Sequence, residues 1–326
     1  MLLLSRSDVE RLLDVDRLVE ALGPAMAELS AGRVSMPARV ITQSRERGLL
    51  ADMPVFLDSL GILSTKLVSV FPENEGAGLP SHQAVIVVFD AQTGSPRALM
   101  DGTFITAART AAGSVLATRL LARSDAHVLA IVGTGVQARA HARAIPCVRT
   151  IYELRVVGRN PDKAAALAEE LASESHLRTT AWELASEAFA GADIVCAATH
   201  SADPVIKGEW LEPGAHVNSV GLNPEGREVD GEAVRRARVV VESRAAALAP
   251  SPSGANDLLW AVRDGLLDEK HIDEIGEVFS GARPGRTSAH EITLYKSVGV
   301  AVQDAVAARL VLEAAERLGV GEQVEI

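Results

Sequence analysis

The sequence predicts an α/β protein in which a Rossmann-type doubly wound parallel sheet is joined to a discontinuous α+β domain. Three observations carry that expectation. Residues 128–141, VLAIVGTGVQARAH, read as a buried strand that breaks into a glycine turn and then a helix. From that turn to about residue 242, strand and helix patterns alternate, as crossover helices on a parallel sheet require. Residues 38–100 instead carry short strands bounded by turn residues, the pattern of a mostly antiparallel sheet.

In chain order, a short N-terminal strand is followed by a helix capped at Ser7 or Asp8. Val9, Leu12, Leu13, Leu18, Val19, Leu22, Met26 and Leu29 then recur at helical spacing, giving one or two helices over 8–31. Strands are expected at 38–43, 48–53, 63–70 and 84–90, the last leading through Thr93-Gly94-Ser95-Pro96 into 97–100. A helix rich in Ala, Ser and Thr covers 103–122 and links two domains. Beyond it come strand 126–132, helix 137–147, strand 153–157, helix 161–173, a short strand near 178, and strands 192–198, 215–220 and 238–242. The last helix, 298–318, is apolar on one face and is expected to pack back on the N-terminal sheet. Residues 1–113 with 300–326 would then form a substrate-binding and dimerisation domain, and 114–299 the dinucleotide-binding domain.

With 326 residues, 48% of them hydrophobic, the chain can bury a substantial core. A net charge of -11 argues against nucleic acid or an anionic membrane as partner, since both would be repelled. Cys147 and Cys196 lie in apolar surroundings without metal-ligand spacing and are expected to be buried free thiols, consistent with a reducing, cytoplasmic setting. The N-terminus lacks the basic start and apolar core of a signal peptide, and no 18-residue apolar window predicts a membrane span.

The glycine turn carries the first chemical expectation. Gly133 permits the tight bend, Gly135 lets backbone approach a pyrophosphate, and Ala138 allows close packing of helix on strand. The first amides of the new helix, at Val136 and Gln137, would face the phosphates. The bland alternative is a structural strand-to-helix turn. In an NAD site the second strand usually ends in a carboxylate for the ribose hydroxyls. Here it ends Val157-Gly158-Arg159-Asn160, and Arg159 offers a guanidinium for a 2′-phosphate. NADPH is therefore the first choice of cofactor and NADH the second, against the alternative of a surface arginine in a turn. Thr199, His200 and Ser201 end the strand at 192–198, on the carboxyl edge where such sheets bind ligands, although Ser201 would equally cap a turn.

On the other domain, Lys66 lies in an apolar strand, where alternation points it to the same face as Ser64 and Val68, and an inward lysine needs a partner. Arg109 sits in a helix of small and apolar residues, and Arg39 follows a Met-Pro turn into another strand. Each alone reads equally well as a solvated or salt-bridged base. Together they suggest an anion pocket sized for a carboxylate. His82 is a candidate proton relay or, equally, a structural hydrogen-bonding residue.

Lys66, GLPSHQ, TGSPRALMDGTFITAARTAA, VGTGVQA, VNSVGLNPEGREVD and ITLYKSVGVAVQDAVAA occur in the order in which they occur in the ornithine cyclodeaminase and mu-crystallin family, and nearly the whole chain resembles it. The resemblance implies a homodimer assembled through the N-terminal sheet, a Rossmann domain holding NAD(P), and a small amino or imino acid between the domains. It implies that Arg39, Lys66 and Arg109 hold or polarise the substrate carboxylate, and that Val298 and Gly299 lie beside the nicotinamide. In the cyclodeaminases of the family, an aspartate after the strand ending Ser219-Val220-Gly221 shuttles a proton; the matching residue here is Asn223. An amide cannot do that work near neutral pH, and Asp230, seven residues on, could reach the site only if the loop folds back. The expectation is an NAD(P)H-dependent reductase of a 2-imino acid, such as pyrroline- or piperideine-2-carboxylate, or an amino-acid dehydrogenase. Two alternatives stand beside it: ornithine cyclodeamination with recycled NAD, and a non-catalytic, crystallin-like NADPH-binding protein.

Overall fold

The computed structural model describes residues 1–45 and 47–325, the side chain of Glu75 excepted. Strand β1 (Leu2–Leu4) runs into Ser5, whose hydroxyl accepts from the Asp8 amide while the Asp8 carboxylate accepts from the Ser5 amide. That reciprocal cap starts α1 (Arg6–Leu12), so the cap is Ser5, with Asp8 as its partner. Asp14 accepts from the Arg17 amide and starts α2 (Val15–Ser30).

Five strands follow: β2 (Val40–Gln43), β3 (Leu49–Leu57), β4 (Ile62–Val70), β5 (His82–Asp90) and β6 (Pro96–Asp101). They pair antiparallel in succession. Strand β3 does not stop before Pro54, as the sequence pattern suggests, but runs through it. The reason is local: β2 pairs with β3 only as far as Asp52, so the missing amide of Pro54 leaves no ladder bond unmade on that side. Burial alternates along β3 and β4, with Ala51, Met53, Val55 and Leu57 inward beside Ile62, Ser64, Lys66 and Val68. Helix α3 (Gly102–Leu121) comes next, and its residues as far as Arg109 belong with this sheet.

The second unit, Thr110–Val298, holds eight parallel strands. Strand β7 (Val128–Val132) leads to α4 (Val136–Ala144), β8 (Glu153–Val157), α5 (Pro161–Glu174), β9 (Arg178–Trp182), α6 (Ala185–Phe189), β10 (Ile194–Ala197) and β11 (His216–Ser219). After these come α7 (Gly231–Arg236), β12 (Ala237–Val241), α8 (Arg244–Ala247), α9 (Asn256–Arg263), β13 (Ile272–Glu274), α10 (Ile275–Phe279) and β14 (Ile292–Lys296). The strand order is β13-β12-β14-β11-β10-β7-β8-β9. The chain therefore reverses direction across the sheet between β7 and β10, and the carboxyl ends of those two strands form the crevice where such sheets bind ligands.

Differences from expectation lie here, among them the short strand β13, which the sequence pattern does not predict. Strand β14 sits between β11 and β12 although the sequence pattern predicts no strand there; Ile292 to Tyr295, four residues without polar alternation ahead of Lys296, look the same before a helix as inside a buried strand. Cys147 is exposed, since α4 ends at Ala144 and a single tighter 3-10 turn, Ile145–Cys147, carries the cysteine; Cys196 is buried, which raises its thiol well above the ordinary range.

Helix α11 (Ala301–Leu318) and β15 (Glu322–Gln323) complete the first unit, Met1–Arg109 with Gly299–Ile326. The helix starts at Ala301, three residues later than expected, because Gly299 adopts φ +73°, a left-handed conformation that helical continuity forbids. Strand β1 pairs parallel with β6 and antiparallel with β15, giving the order β15-β1-β6-β5-β4-β3-β2. Helix α11 packs on the inner face of β3 and β4 and against α2. Among the described residues, no helix is long and apolar enough to cross a membrane.

Candidate active site

On the inner face of the antiparallel sheet, Lys66 is 2% exposed and stands opposite Met53 on β3 and Ile86 on β5. Its partner is Asp304, on the first turns of α11, with Nζ 2.8 Å from Oδ2 in an ion pair outside the geometry of a directed hydrogen bond. Thr106 Oγ1 lies 3.5 Å from the same ammonium. Arg109 donates from Nε to Asp304 Oδ1 at 3.0 Å and from Nη1 to Gln303 Oε1 at 3.2 Å. Arg39 donates from Nη2 to the Gly299 carbonyl at 2.7 Å. The three bases singled out in the sequence are thus brought to the N-terminal end of α11.

Three cations facing one carboxylate leave this cluster positive, which suits an anion. Burial lowers the pKa of Lys66 to about 8, with Asp304 raising it and Arg109 and Arg39 lowering it further. Burial alone would raise the carboxyl of Asp304, but Arg109 and Lys66 outweigh it and hold Asp304 below the usual carboxylate range. His82 does not join the cluster. It opens β5 opposite Val70, four residues from the row of Lys66 and so about 13 Å along the strand, with Nδ1 3.2 Å from Ser81 Oγ.

In the parallel unit, Gly133 adopts φ +122°, and a Cβ there would stand 2.5 Å from the Ala198 carbonyl. The loops after β7 and β10 therefore press together, and only glycine fits. Gly135 is the N-cap of α4; it supplies no side-chain cap, and a Cβ added to it would meet nothing within 4 Å. First-turn amides at Val136 and Gln137 that receive no side-chain cap, with Ala138 fully buried behind them, fit a pyrophosphate. Arg159 is exposed just beyond β8, while Asn160 caps α5 by accepting from the Lys163 amide at 3.1 Å.

Thr199 is held by Glu228, a residue that the sequence pattern does not single out. Glu228 Oε1 accepts from the Thr199 amide at 2.7 Å and hydroxyl at 2.8 Å, and Oε2 accepts from Ser219 Oγ at 2.7 Å and the Gly221 amide at 2.9 Å. Buried Lys296 donates to Ser219 Oγ at 2.9 Å and the Gly221 carbonyl at 2.6 Å, and pairs with Asp257 at 2.9 Å. Charged residues inside otherwise apolar stretches are the available signal for Lys296 and Asp304. Asn223 ties its loop to the one after β10: Oδ1 accepts from the Glu225 amide at 2.9 Å and Nδ2 donates to the His200 carbonyl at 3.1 Å. Asp230 is consumed as the cap of α7, accepting from the amides of Ala233 at 2.7 Å and Gly208 at 3.0 Å. Val298 donates its amide to Glu242 at 2.9 Å. Among the described residues no group of three His, Cys, Asp or Glu side chains could hold a metal ion.

The model of the Ornithine cyclodeaminase/mu-crystallin family matches residues 1–318. A Delta(1)-pyrroline-2-carboxylate reductase of Bacillus cereus is 36% identical over 329 residues, covering 100% of both chains. The ketimine reductase mu-crystallin of Mus musculus is 38% identical over 301 residues, 91% of each chain. Among solved structures, the Delta(1)-pyrroline-2-carboxylate reductase of Thermococcus litoralis in complex with NADH and L-proline superposes with a TM-score of 0.95 at 41% identity, covering 99% of this chain and 100% of that one.

Proposed function

The chain belongs to the ornithine cyclodeaminase/mu-crystallin family, and we propose that it is a nicotinamide-dependent reductase of a small cyclic 2-imino acid, of the pyrroline- or piperideine-2-carboxylate kind. The single observation that carries this is the Lys66–Asp304–Arg109 cluster with Arg39 beside it, an anion-binding group built around a lysine that titrates near neutrality. Relatives named as reductases, one holding NADH and L-proline, support it.

Arg39 and Arg109 bind the substrate carboxylate and thereby orient C2. Lys66, protonated below about pH 8, gives a proton to the imine nitrogen as the C=N bond becomes C–N. When bound, the dinucleotide supplies the hydride that C2 accepts. Gly133, Gly135 and the first amides of α4 hold its pyrophosphate, with Thr199 fixed by Glu228 at the neighbouring strand end. Val298 and Gly299 are assigned to the nicotinamide side. Arg159 favours NADPH over NADH, because no carboxylate ends β8 to receive a free ribose 2′-hydroxyl. Cyclodeamination is disfavoured by Asn223, an amide engaged with the Glu225 amide of its own loop and the His200 carbonyl of the loop after β10, and by Asp230, committed to a helix cap.

The outer face of the antiparallel sheet supports a homodimer. Val40, Leu50 and Val85 are 61%, 46% and 41% exposed there, a run of apolar surface that favours association with a second copy. The functional test is a screen of pyrroline-2-carboxylate, piperideine-2-carboxylate, pyruvate with ammonia, and ornithine against NADPH and NADH. Turnover of a cyclic imino acid with either dinucleotide is expected, and turnover of ornithine alone would refute the assignment.

A further inference from the structure

A carboxylate only 2% exposed on the apolar face of α11 is costly unless it is matched, and Asp304 is matched twice, to bases from two other elements. We propose that Asp304 is a positioning residue for the imino-acid reduction, an assignment that rests on the function proposed above: one oxygen holds Lys66 as the proton donor, and the other turns Arg109 so that its outer edge receives the substrate carboxylate.

Geometry carries the second half. Nε of Arg109 is committed to Asp304 and Nη1 to Gln303, both from the first turns of α11. Gly299 closes one side of the guanidinium, since a Cβ there would meet both terminal nitrogens. Among the described residues Nη2 has no hydrogen-bond partner, so one edge of the fork is kept for a ligand.

Charge carries the first half. The charged groups facing Lys66 are Asp304 from α11, Arg109 from α3 and Arg39 from the segment before β2; Met53 and Ile86 flank it on the sheet. Without the Asp304 carboxylate, a buried ammonium would face two guanidiniums with nothing to balance it. It would then release its proton at lower pH and cease to be a donor where the reaction runs. Asp304 needs no contact with the substrate for either effect.

Asp304→Asn separates this role from packing, because it keeps the shape and removes the charge. The alkaline limb of imino-acid reduction should move down from about pH 8 by about one pH unit or more, and kcat/KM at pH 7.5 should fall at least about threefold, the loss of protonated donor that such a shift gives. Dinucleotide affinity should be unchanged. A limb that stays at the wild-type pH overturns the proposal. If Asp304→Asn does not fold, Asp304→Glu decides: a limb kept at the wild-type pH with reduced kcat supports the role, and a limb displaced downward overturns it. A readout free of turnover is the titration of Lys66 by NMR of protein labelled at lysine Cε, feasible because the chain has only five lysines, at 66, 163, 207, 270 and 296, with Lys66→Met giving the assignment. Wild-type protein that reduces no imino acid refutes the functional assignment, and the Lys66 titration, lowered or not by Asp304→Asn, then decides the part of Asp304 by itself.

Discussion

A Cβ placed on Gly299 would stand 2.6 Å from each terminal nitrogen of Arg109, so the glycine is the surface on which the guanidinium rests. The same residue adopts φ +73° and offers its carbonyl to Arg39 at 2.7 Å. Gly299→Ala should therefore displace both arginines and add about 1–2 kcal/mol of backbone strain. The expected outcome is a KM for the imino acid raised about tenfold or more, with dinucleotide affinity lowered as well because the glycine is also assigned to the nicotinamide side. Steady-state kinetics beside a fluorescence titration with NADPH checks it, and an unaltered KM would remove Gly299 from the substrate side.

Lys66 should impose the pH dependence. Burial lowers its pKa to about 8, so it is mostly protonated at pH 7 and loses the proton as pH rises through that value. Reduction, which consumes a proton, should decline above about pH 8, while oxidation of the amino acid, which needs a neutral amine as acceptor, should rise over the same interval. Lys66→Met should lower kcat by about 10²–10⁴-fold and abolish the limb. Parallel pH profiles in the two directions, without crossing, would assign the proton to another group.

Arg159→Asp should invert the cofactor preference. A charge-assisted contact to a 2′-phosphate is worth about 1.5–3 kcal/mol, and an aspartate would instead accept from the ribose hydroxyls. The ratio of kcat/KM for NADPH to that for NADH should fall at least about tenfold. An unchanged ratio would leave Arg159 as an exposed arginine after β8.

Two histidines in the parallel unit should make stability sensitive to mild acid. His141, with Nε2 2.9 Å from Ser114 Oγ, has its pKa lowered by burial to about 4, and burial lowers His216 to about 3. The unfolded chain takes up those protons near pH 6.5, whereas the folded chain does so only near these lower values. The stabilisation is therefore complete above about pH 6.5 and is lost as pH falls through the window to 4. At about 1.4 kcal/mol per pKa unit, His141 alone withdraws roughly 3 kcal/mol. The urea midpoint should drop between pH 7 and 4.5, and His141→Gln should flatten the drop; equal slopes in both proteins would contradict it.

Local pattern makes part of this molecule legible from its residues alone. Alternation places Lys66 inward with Ser64 and Val68, and the strand, glycine turn and helix at 128–141 stand where periodicity puts them. Asp304 is not legible in that way because its partners lie 195 or more residues away in sequence, and no local period encodes such a contact. Glu228 is hidden for a related reason: it looks like one more acidic loop residue until the loops after β10 and β11 fold onto it. Strand β14 is hidden because a central strand in a parallel sheet is buried on both faces and carries no alternation. Cys147 turns outward because the helix ahead of it stops early.

The most direct test of the central claim is the stoichiometry of a single reaction, pyrroline-2-carboxylate with NADPH or NADH, followed by dinucleotide absorbance and by chromatography of the product. Equimolar loss of reduced dinucleotide and appearance of proline is the predicted result. Release of ammonia from ornithine with no net consumption of dinucleotide, and no reduction of the imine, would contradict it.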